Sequence, residues 1–585
     1  MKRFAVLACM VALLAVSLPP AVGESAPAGD CGLTTLDGVV VFSPETIEAG
    51  KTLECGPGQK IVVRKDLTSA KAGRAQRRQP LTSFVTIADI QLPDEESPLR
   101  AEWADKCEDQ PAKSAFRPHE ALVPALMNAH VNAASRIIRS GSPVLDDAMD
   151  FAIGLGDLAD NNQFNEIRWV IDIFDGGQLV NPDSGAEGYE GVQGTDPQGA
   201  PSDPLVSPVE GRSLLELAND PFWAGGLRRG DRPFPWYSIP GNHDVKVQGT
   251  VPNTESWRTF ADTYAQGSFK FTDVSPDHQQ RACEGGYSDA QYYMDVFGNP
   301  GSARVVTPDE DRHLLEREQW AKEHFTTTGI PKGHGYNRDR CTNAKGEPLH
   351  RLCYSWTDGK FHFIGLDSNP DEGLEEGNID RPQWNWLKRE LRKSNPISYT
   401  HKGDKRRHRQ ARNRMVVVFS HHPTASMHNE ETEGAKTEQQ FINLLLRFPN
   451  VILHSAGHTH QNKIWPRQNK ELGTAYWEVN TAAIADVPHQ SRTIEIADNN
   501  DGTISLFAVV FDALAGPNAR LIDWASDDPT SEKALAGAEF DINEDWLASA
   551  AREIGIYDPQ QDLMKVGTPK DRNAELLLPA PRWMR

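Results

Sequence analysis

The chain has 585 residues, enough for a sizeable core and for more than one domain, although one large α/β domain with insertions fits the length equally. Charged residues make up 24% and aromatics 8%, a composition that excludes a disordered chain. The formal net charge of -21 argues against a general nucleic-acid or anionic-membrane binder, because the long-range field repels both; an anionic substrate must be captured locally.

Met1-Lys-Arg3 precedes an almost unbroken apolar run, Phe4 to Leu18, then Pro19-Pro20 and small residues before Glu24. Residues 1–23 read as a cleaved secretory signal, since the run falls short of the ~20 residues that span a bilayer. No other stretch is apolar enough to span, so the mature chain is expected to be secreted, periplasmic or at the cell surface, without stable membrane insertion. Losing Cys9 with the signal leaves Cys31, Cys55, Cys107, Cys283, Cys341 and Cys353. An even count in an exported chain suggests disulfides, with 15 connectivities open. Proximity favours Cys31 with Cys55 and Cys341 with Cys353, leaving Cys107 for Cys283. There is no CxxC, so a thiolate metal site is not expected.

Residues 24–80 read as a small β-rich preface, with strands at Gly38–Phe42 and Lys60–Arg64 and a polar, basic linker at Lys71–Arg78. The main domain, 81–515, opens with a buried-type strand, Leu81–Ala88, ending at Asp89-Ile-Gln91. A polar loop follows, then His119–Arg139, where Leu122, Leu126, Ala129, Ala133 and Ile137 recur at helical spacing. The strand Ala148–Leu155 runs into Gly156-Asp157-Leu-Ala-Asp160-Asn161, and Phe164–Phe174 reads as an amphipathic helix. Strand and helix thus alternate as in a layered α/β sheet.

Gly176–Val209 reads as a long loop and Ser213–Ala218 as a helix leading to the strand Pro235–Ile239, which stops at Pro240-Gly241 and presents Asn242, His243 and Asp244. Val245–Cys353 is irregular, an insertion that forms a wall beside the preceding motif or decorates the surface. The sheet resumes at Lys360–Ser368, followed by the helix Gln383–Leu391 and a basic run, Lys402–Arg414, read as a solvated loop with substrate steering as the lesser alternative. Met415–Phe419 runs into Ser420-His421-His422-Pro423, and Val451–Ser455 into Ala456-Gly457-His458-Thr459-His460. Tyr476–Asn480, Thr493–Ile496 and Thr503–Phe511 read as a hairpin-rich second sheet. Residues 516–585 form a C-terminal extension that packs on the domain, with one clear helix at Glu544–Ile554.

Several strands that each end in carboxylate, amide or imidazole look like a metal centre. Hydrolysing a phosphate ester requires neutralising anionic oxygens, generating hydroxide near neutral pH and protonating a leaving alkoxide, and two divalent cations about 3.5–4 Å apart supply the first two. Mixed Asp, Asn and His ligands suit manganese, iron, zinc or cobalt rather than calcium.

The ordered series Asp89-Ile-Gln91, Gly156-Asp157-Leu-Ala-Asp160-Asn161, Gly241-Asn242-His243-Asp244, His421-His422-Pro423 and Gly457-His458-Thr459-His460 resembles the calcineurin-like metallophosphoesterase superfamily over roughly residues 81–515. The resemblance implies an α/β four-layer sandwich of two mixed β-sheets flanked by helices, with long loop insertions and small N- and C-terminal additions. It implies a phosphoric ester hydrolase with two divalent metal ions, attacking small mono- or diesters with a metal-bridging hydroxide. Carried over by motif, Asp157 bridges both metals; Asp89, Gln91 and His460 complete one, and Asn242, His421 and His458 the other. His243 is the general acid, its imidazolium held by Asp160. His422 is left between substrate contact, hydrating a metal and a structural hydrogen bond. The superfamily's first motif usually ends in His where this chain has Gln91, a harder and weaker donor. Asp160 stands where purple acid phosphatases place a coordinating Tyr, so no tyrosinate colour is expected. The rival reading is a secreted binding protein that kept the fold and lost turnover.

Overall fold

The computed structural model describes residues 31–41, 54–106, 115–193, 208–209, 212–251, 255–272, 274–284, 290–298, 303–513, 544–557 and 562–584. Two seven-stranded mixed sheets organise them. The strands are β1 (Val62–Arg64), β2 (Gln79–Ile87), β3 (Phe151–Gly154), β4 (Trp236–Ser238), β5 (Asp339–Arg340), β6 (Tyr354–Asp358), β7 (Phe361–Gly365), β8 (Met415–Phe419), β9 (Val451–Ala456), β10 (Lys463–Asn469), β11 (Thr474–Asn480), β12 (Gln490–Asp498), β13 (Thr503–Asp512) and β14 (Ala574–Pro579). The first sheet runs β4-β3-β2-β12-β13-β14-β1 and the second β5-β6-β7-β8-β9-β11-β10. β2, β3 and β4 are parallel, as are β7, β8, β9 and β11, while β12 to β14 form an antiparallel meander.

The period of two in β8 shows why the sheets stack. Met415, Val417 and Phe419 enter a core shared with the first sheet, and Val416 and Val418 face the opposite way into a second apolar cluster. Between the sheets Phe84 stacks on Phe151 at 4.8 Å and meets Phe419 edge-on at 5.7 Å. Five helices matter here: α1 (Val123–Ser140), α2 (Phe164–Asp175), α3 (Arg381–Ser394), α4 (Glu438–Leu445) and α5 (Glu544–Tyr557). The apolar faces of α1 and α2 join the shared core from the first sheet's side, and α5 packs on α1. Leu387 and Leu391 of α3 and Phe441 and Leu444 of α4 cover the outer face of β7 and β8. Asp380 caps α3 by accepting the Gln383 N–H at 2.8 Å. The architecture is the expected α/β sandwich of two mixed sheets between helical layers.

Three expectations are corrected. Tyr476–Asn480 (β11) lies in the second sheet, but the following hairpin, β12 and β13, lies in the first, because its partner is β2 about 400 residues earlier in the chain. Lys71–Arg78 is not a free linker: Arg74 and Arg78 both bind Glu575 at 2.5 Å, fastening the run to β14. The irregular stretch after Val245 contains helices at Glu255–Ala265, Pro276–Cys283 and Ala290–Gly298, with a separate apolar cluster that takes in Trp103 and Ala104. Residues on both sides of 81–515 enter the first sheet, through β1 and β14. Cys31–Cys55 and Cys341–Cys353 form disulfides. Cys283 is also disulfide-bonded, and Cys107, the partner expected for it, lies outside the described residues, as do the apolar run at residues 4–18 and the Gly176–Val209 loop beyond 193, except 208–209. Among the described residues no helix is long and apolar enough to cross a membrane.

Candidate metal centre

Asp89 and Gln91 follow β2, Asp157 follows β3, Asn242 and His243 follow β4, His421 follows β8, and His458 and His460 follow β9. All five are C-terminal ends of strands that run parallel within their sheets, so both sheets deliver side chains to one edge. Backbone bonds lock the turns together: Gln91 N–H donates to the Asp157 carbonyl at 2.8 Å and Gly457 N–H to the His421 carbonyl at 2.9 Å. The turns are tight. Asp89, Gln91, Asp157, His458 and His460 all have φ between 44° and 70°, the left-handed region that non-glycine residues seldom occupy and that clusters at functional sites. A Cβ on Gly241 would lie 2.0 Å from Asp157 Oδ1, and one on Gly156 2.7 Å from His421 Nδ1, so the motifs' glycines are required by close approach. Asp244 ties two motifs together, accepting the N–H groups of Leu158, Ala159 and Gly241 at 2.7–3.0 Å.

One group of acceptors gathers around Asp157. His421 Nε2 lies 3.0 Å from Asn242 Oδ1 and 3.2 Å from Asp157 Oδ2, and His458 Nδ1 lies 3.1 Å from Asn242 Oδ1 and 3.2 Å from His421 Nε2. The remaining polar atoms fix what these present. His421 Nδ1–H donates to the Leu155 carbonyl at 2.9 Å, which leaves the Nε2 lone pair facing inward. Asn242 Nδ2 donates to the Gly249 carbonyl at 3.1 Å, which turns Oδ1 inward. Neighbouring ligands of one cation at about 2.0–2.1 Å are roughly 3.0–3.4 Å apart, so this set fits a bound first-row metal. The second group is Asp89, Asp157 and His460, whose ligand atoms lie within 4.8 Å of one another. His460 Nδ1–H donates to Asp486 Oδ2 at 2.5 Å, aiming Nε2 at Asp89 Oδ1, 3.5 Å away. Asp157 is the residue common to both groups.

Gln91 is placed differently from a ligand. Its Oε1 accepts from Arg117 Nη2 at 2.6 Å, while Nε2 lies 3.2 Å from Asp157 Oδ2 and 3.3 Å from His460 Nε2. A guanidinium has no acceptor and a carboxylate no donor, so the amide can be oriented only this way. His422 is hydrogen-bonded at both nitrogens, Nε2–H donating to the Glu375 carbonyl and Nδ1 accepting from Ser368 Oγ, both at 2.7 Å, while one of these nitrogens also lies within 4.8 Å of ligand atoms on His421 and His458.

His243 Nδ1–H donates to the Asp160 carbonyl at 2.8 Å with the Asp160 carboxylate 3.2 Å away, leaving Nε2 on the side of the metal ligands, 3.9 Å from Asp157 Oδ2. Burial opposes a charged imidazole, yet Asp157 and Asp160 outweigh it and raise the His243 pKa to about 9. Burial likewise opposes ionisation of Asp160, but Arg100 and His243 bring its carboxyl down to about 2. Arg100 Nη1 binds Asp160 Oδ2 at 2.5 Å and is itself wholly buried.

Sequence reasoning missed Asp486, Arg117 and Arg100. Asp486 accepts from His460 and from Arg117 Nε at 2.6 Å, and from Lys565 Nζ at 2.9 Å. The one available signal was chemical: a liganding histidine needs an acceptor for its other N–H, but the sequence does not say which.

No family model and no curated protein matches the chain. Among solved structures it is similar to a dimetal phosphatase from Danio rerio, at 12% identity and TM-score 0.28, over 74% of this chain and 100% of that one. It is similar to a purple acid phosphatase from yellow lupin (Lupinus luteus) seeds, at 10% identity and TM-score 0.27, over 78% and 54% of the two chains. A calcineurin-like phosphoesterase from Bacillus subtilis matches at 9% identity and TM-score 0.26, over 74% and 91%. At these values the likenesses add nothing to the geometry, and it is the ordered motif series meeting at one sheet edge that resembles the calcineurin-like metallophosphoesterase superfamily.

Proposed function

We propose that the chain is a metal-dependent phosphoric ester hydrolase of the calcineurin-like metallophosphoesterase superfamily. The observation that carries this is the convergence of His421 Nε2, His458 Nδ1, Asn242 Oδ1 and Asp157 Oδ2 at separations of 3.0–3.2 Å, two imidazole nitrogens, an amide oxygen and a carboxylate oxygen with no guanidinium or ammonium among them. Two divalent cations held here would clamp a phosphoryl group and make a nucleophile from water at neutral pH.

The chain's own residues do the rest. Asp157 would bridge the two positions; Asn242, His421 and His458 would complete one, and Asp89 and His460 the other. Gln91, its oxygen held by Arg117, donates its amide N–H towards Asp157 and His460 instead of coordinating, so this second position is left with fewer protein ligands. His243 holds a proton on Nε2 beside the ligand set and gives it to the leaving alkoxide; the Asp160 carbonyl and carboxylate fix its ring and favour its charged form. The substrate is a small phosphate ester captured by these ligands and not by the chain's overall field, which is negative. The Cys31–Cys55 and Cys341–Cys353 disulfides support an oxidising, extracytoplasmic location, as the apolar run at residues 4–18 suggests.

Turnover of p-nitrophenyl phosphate and bis-p-nitrophenyl phosphate, with manganese and with chelator, tests the reading. Hydrolysis that is abolished by chelator and by His243→Ala supports it, and the preferred ester separates mono- from diesterase. A metal-loaded protein that turns over neither ester returns the weight to a binding role.

A further inference from the structure

The basic run Lys402–Arg414 plays no part in the metal centre. It forms, with Ile397–Tyr399, a two-stranded ribbon at Lys405–Arg407 that folds against α3 and the end of α4. Between them lies a cavity of about 620 Å3, lined among others by Lys388, Arg392, Arg406, Arg407 and Arg447 over a floor of Leu444 and Phe448. No carboxylate lines it, although acidic residues outnumber basic ones 82 to 61 in the whole chain. Among the described residues none of these five cations forms an ion pair, and Arg447 Nε is out of solvent with no hydrogen-bond partner. Asp404, on the ribbon turn, receives the Thr400 hydroxyl at 3.2 Å.

The cations press on one another. Burial and then Arg392 lower the pKa of Arg447; burial and then Arg392 and Arg447 lower that of Lys388; burial and then Arg392 and Arg406 lower that of His408. Lys388 and Arg447 are half-buried and Arg392, Arg406 and Arg407 exposed, and all five surround one concavity whose lining includes the buried Leu444 and Phe448. The cavity sits where β8 and β9 begin, and the metal ligands sit where they end, roughly 17–20 Å away at about 3.3 Å per residue.

We propose that this cavity is a binding site for a small polyanion carrying more than one phosphoryl or sulfuryl group. Guanidinium forks match the tetrahedral oxyanion bidentately. The volume is that of a small-molecule site and exceeds what a single phosphate fills. The site is independent of the hydrolytic reading and would serve to localise or regulate the protein.

Isothermal titration calorimetry of the mature chain with sucrose octasulfate at low salt tests it. That probe carries the required charge without stripping metals as a polyphosphate would. We expect one site per chain, weakened by added salt, with Kd at least tenfold larger in Arg392→Gln/Arg447→Gln. Arg406→Gln/Arg407→Gln, at two exposed positions, weakens it in the same direction if the first pair disturbs folding. Lys332→Gln/Lys345→Gln makes the same charge change elsewhere on the surface and should leave Kd unaltered. Asp157→Asn should abolish turnover and keep this binding. Absence of binding to the wild type, equal loss in the Lys332/Lys345 variant, or loss in Asp157→Asn would overturn the proposal.

Discussion

Asp486→Asn separates the tautomer of His460 from the charge behind it. In the native protein His460 Nδ1–H donates to Asp486 Oδ2 at 2.5 Å, which leaves the Nε2 lone pair for a cation shared with Asp89 and Asp157. Arg117 Nε donates to the other oxygen at 2.6 Å, so an asparagine that keeps its carbonyl towards Arg117 turns its NH2 towards His460, in place of the oxygen that also receives Lys565 Nζ. The ring must then accept at Nδ1 and carry its proton on Nε2, where the metal should be. Loss of a partner of this kind lowers metal affinity about 10–100-fold, or ~1.4–2.7 kcal/mol. Asp486→Ala removes the same charge but lets His460 choose its tautomer, so it should lose less. Equilibrium dialysis against manganese, with melting curves to confirm folding, gives the three affinities. The order wild type, alanine, asparagine is expected. Wild-type affinity in Asp486→Asn, or an alanine variant weaker than the asparagine one, would refute the reasoning.

Asp160→Asn should move the alkaline limb of kcat/KM to lower pH. A general acid works only while protonated and activity is lost as pH rises through its pKa; against the burial that lowers the His243 pKa, the Asp160 carboxylate raises it, so removing that charge lowers it; an unmoved limb would assign the acid elsewhere. Arg117→Met leaves Asp486 buried with less compensation and frees Gln91 Oε1, so urea unfolding should show a loss of about 3–5 kcal/mol, and a change under 1 kcal/mol would count against the clamp. Gly241→Ala drives a methyl into Asp157, so the variant should lose bound metal while far-ultraviolet circular dichroism stays native; full metal content would contradict the close approach. Phe84→Ala empties the contact between the sheets and should cost about 3–5 kcal/mol by the same unfolding assay, with a small loss showing that the sheets meet elsewhere.

What was legible in the sequence was local. Met415–Phe419 and Val451–Ala456 are buried on both faces, so Met415–Phe419 and Val451–Leu453 read as apolar runs, and the polar residues beyond each stand out. Those two ends supplied His421, His458 and His460, and the ends of β2, β3 and β4 supplied Asp89, Asp157 and Asn242. Long-range pairing was not legible: β12 alternates like any strand, and nothing in it states that it adjoins β2 in the other sheet. Asp486 and Arg117 escaped for the same reason, lying 369 residues apart with neither in a spaced motif. Gln91 shows the limit of reading a motif by position. Its place in the series suggested a ligand, and the guanidinium that takes its oxygen comes from a loop with no periodicity. Lys402–Arg414 looked like a solvated run because its counterparts come from elsewhere in the chain, Lys388 and Arg392 from α3 before it and Arg447 from the turn just past α4 after it.

In the proposed site Asp157 joins two metal positions. Elemental analysis of the purified mature chain beside Asp157→Asn tests it most directly. The account predicts about two divalent ions per chain in the wild type and a marked loss in the variant with the fold intact. A folded wild-type chain that holds no metal after exposure to manganese, iron, zinc and cobalt would contradict it.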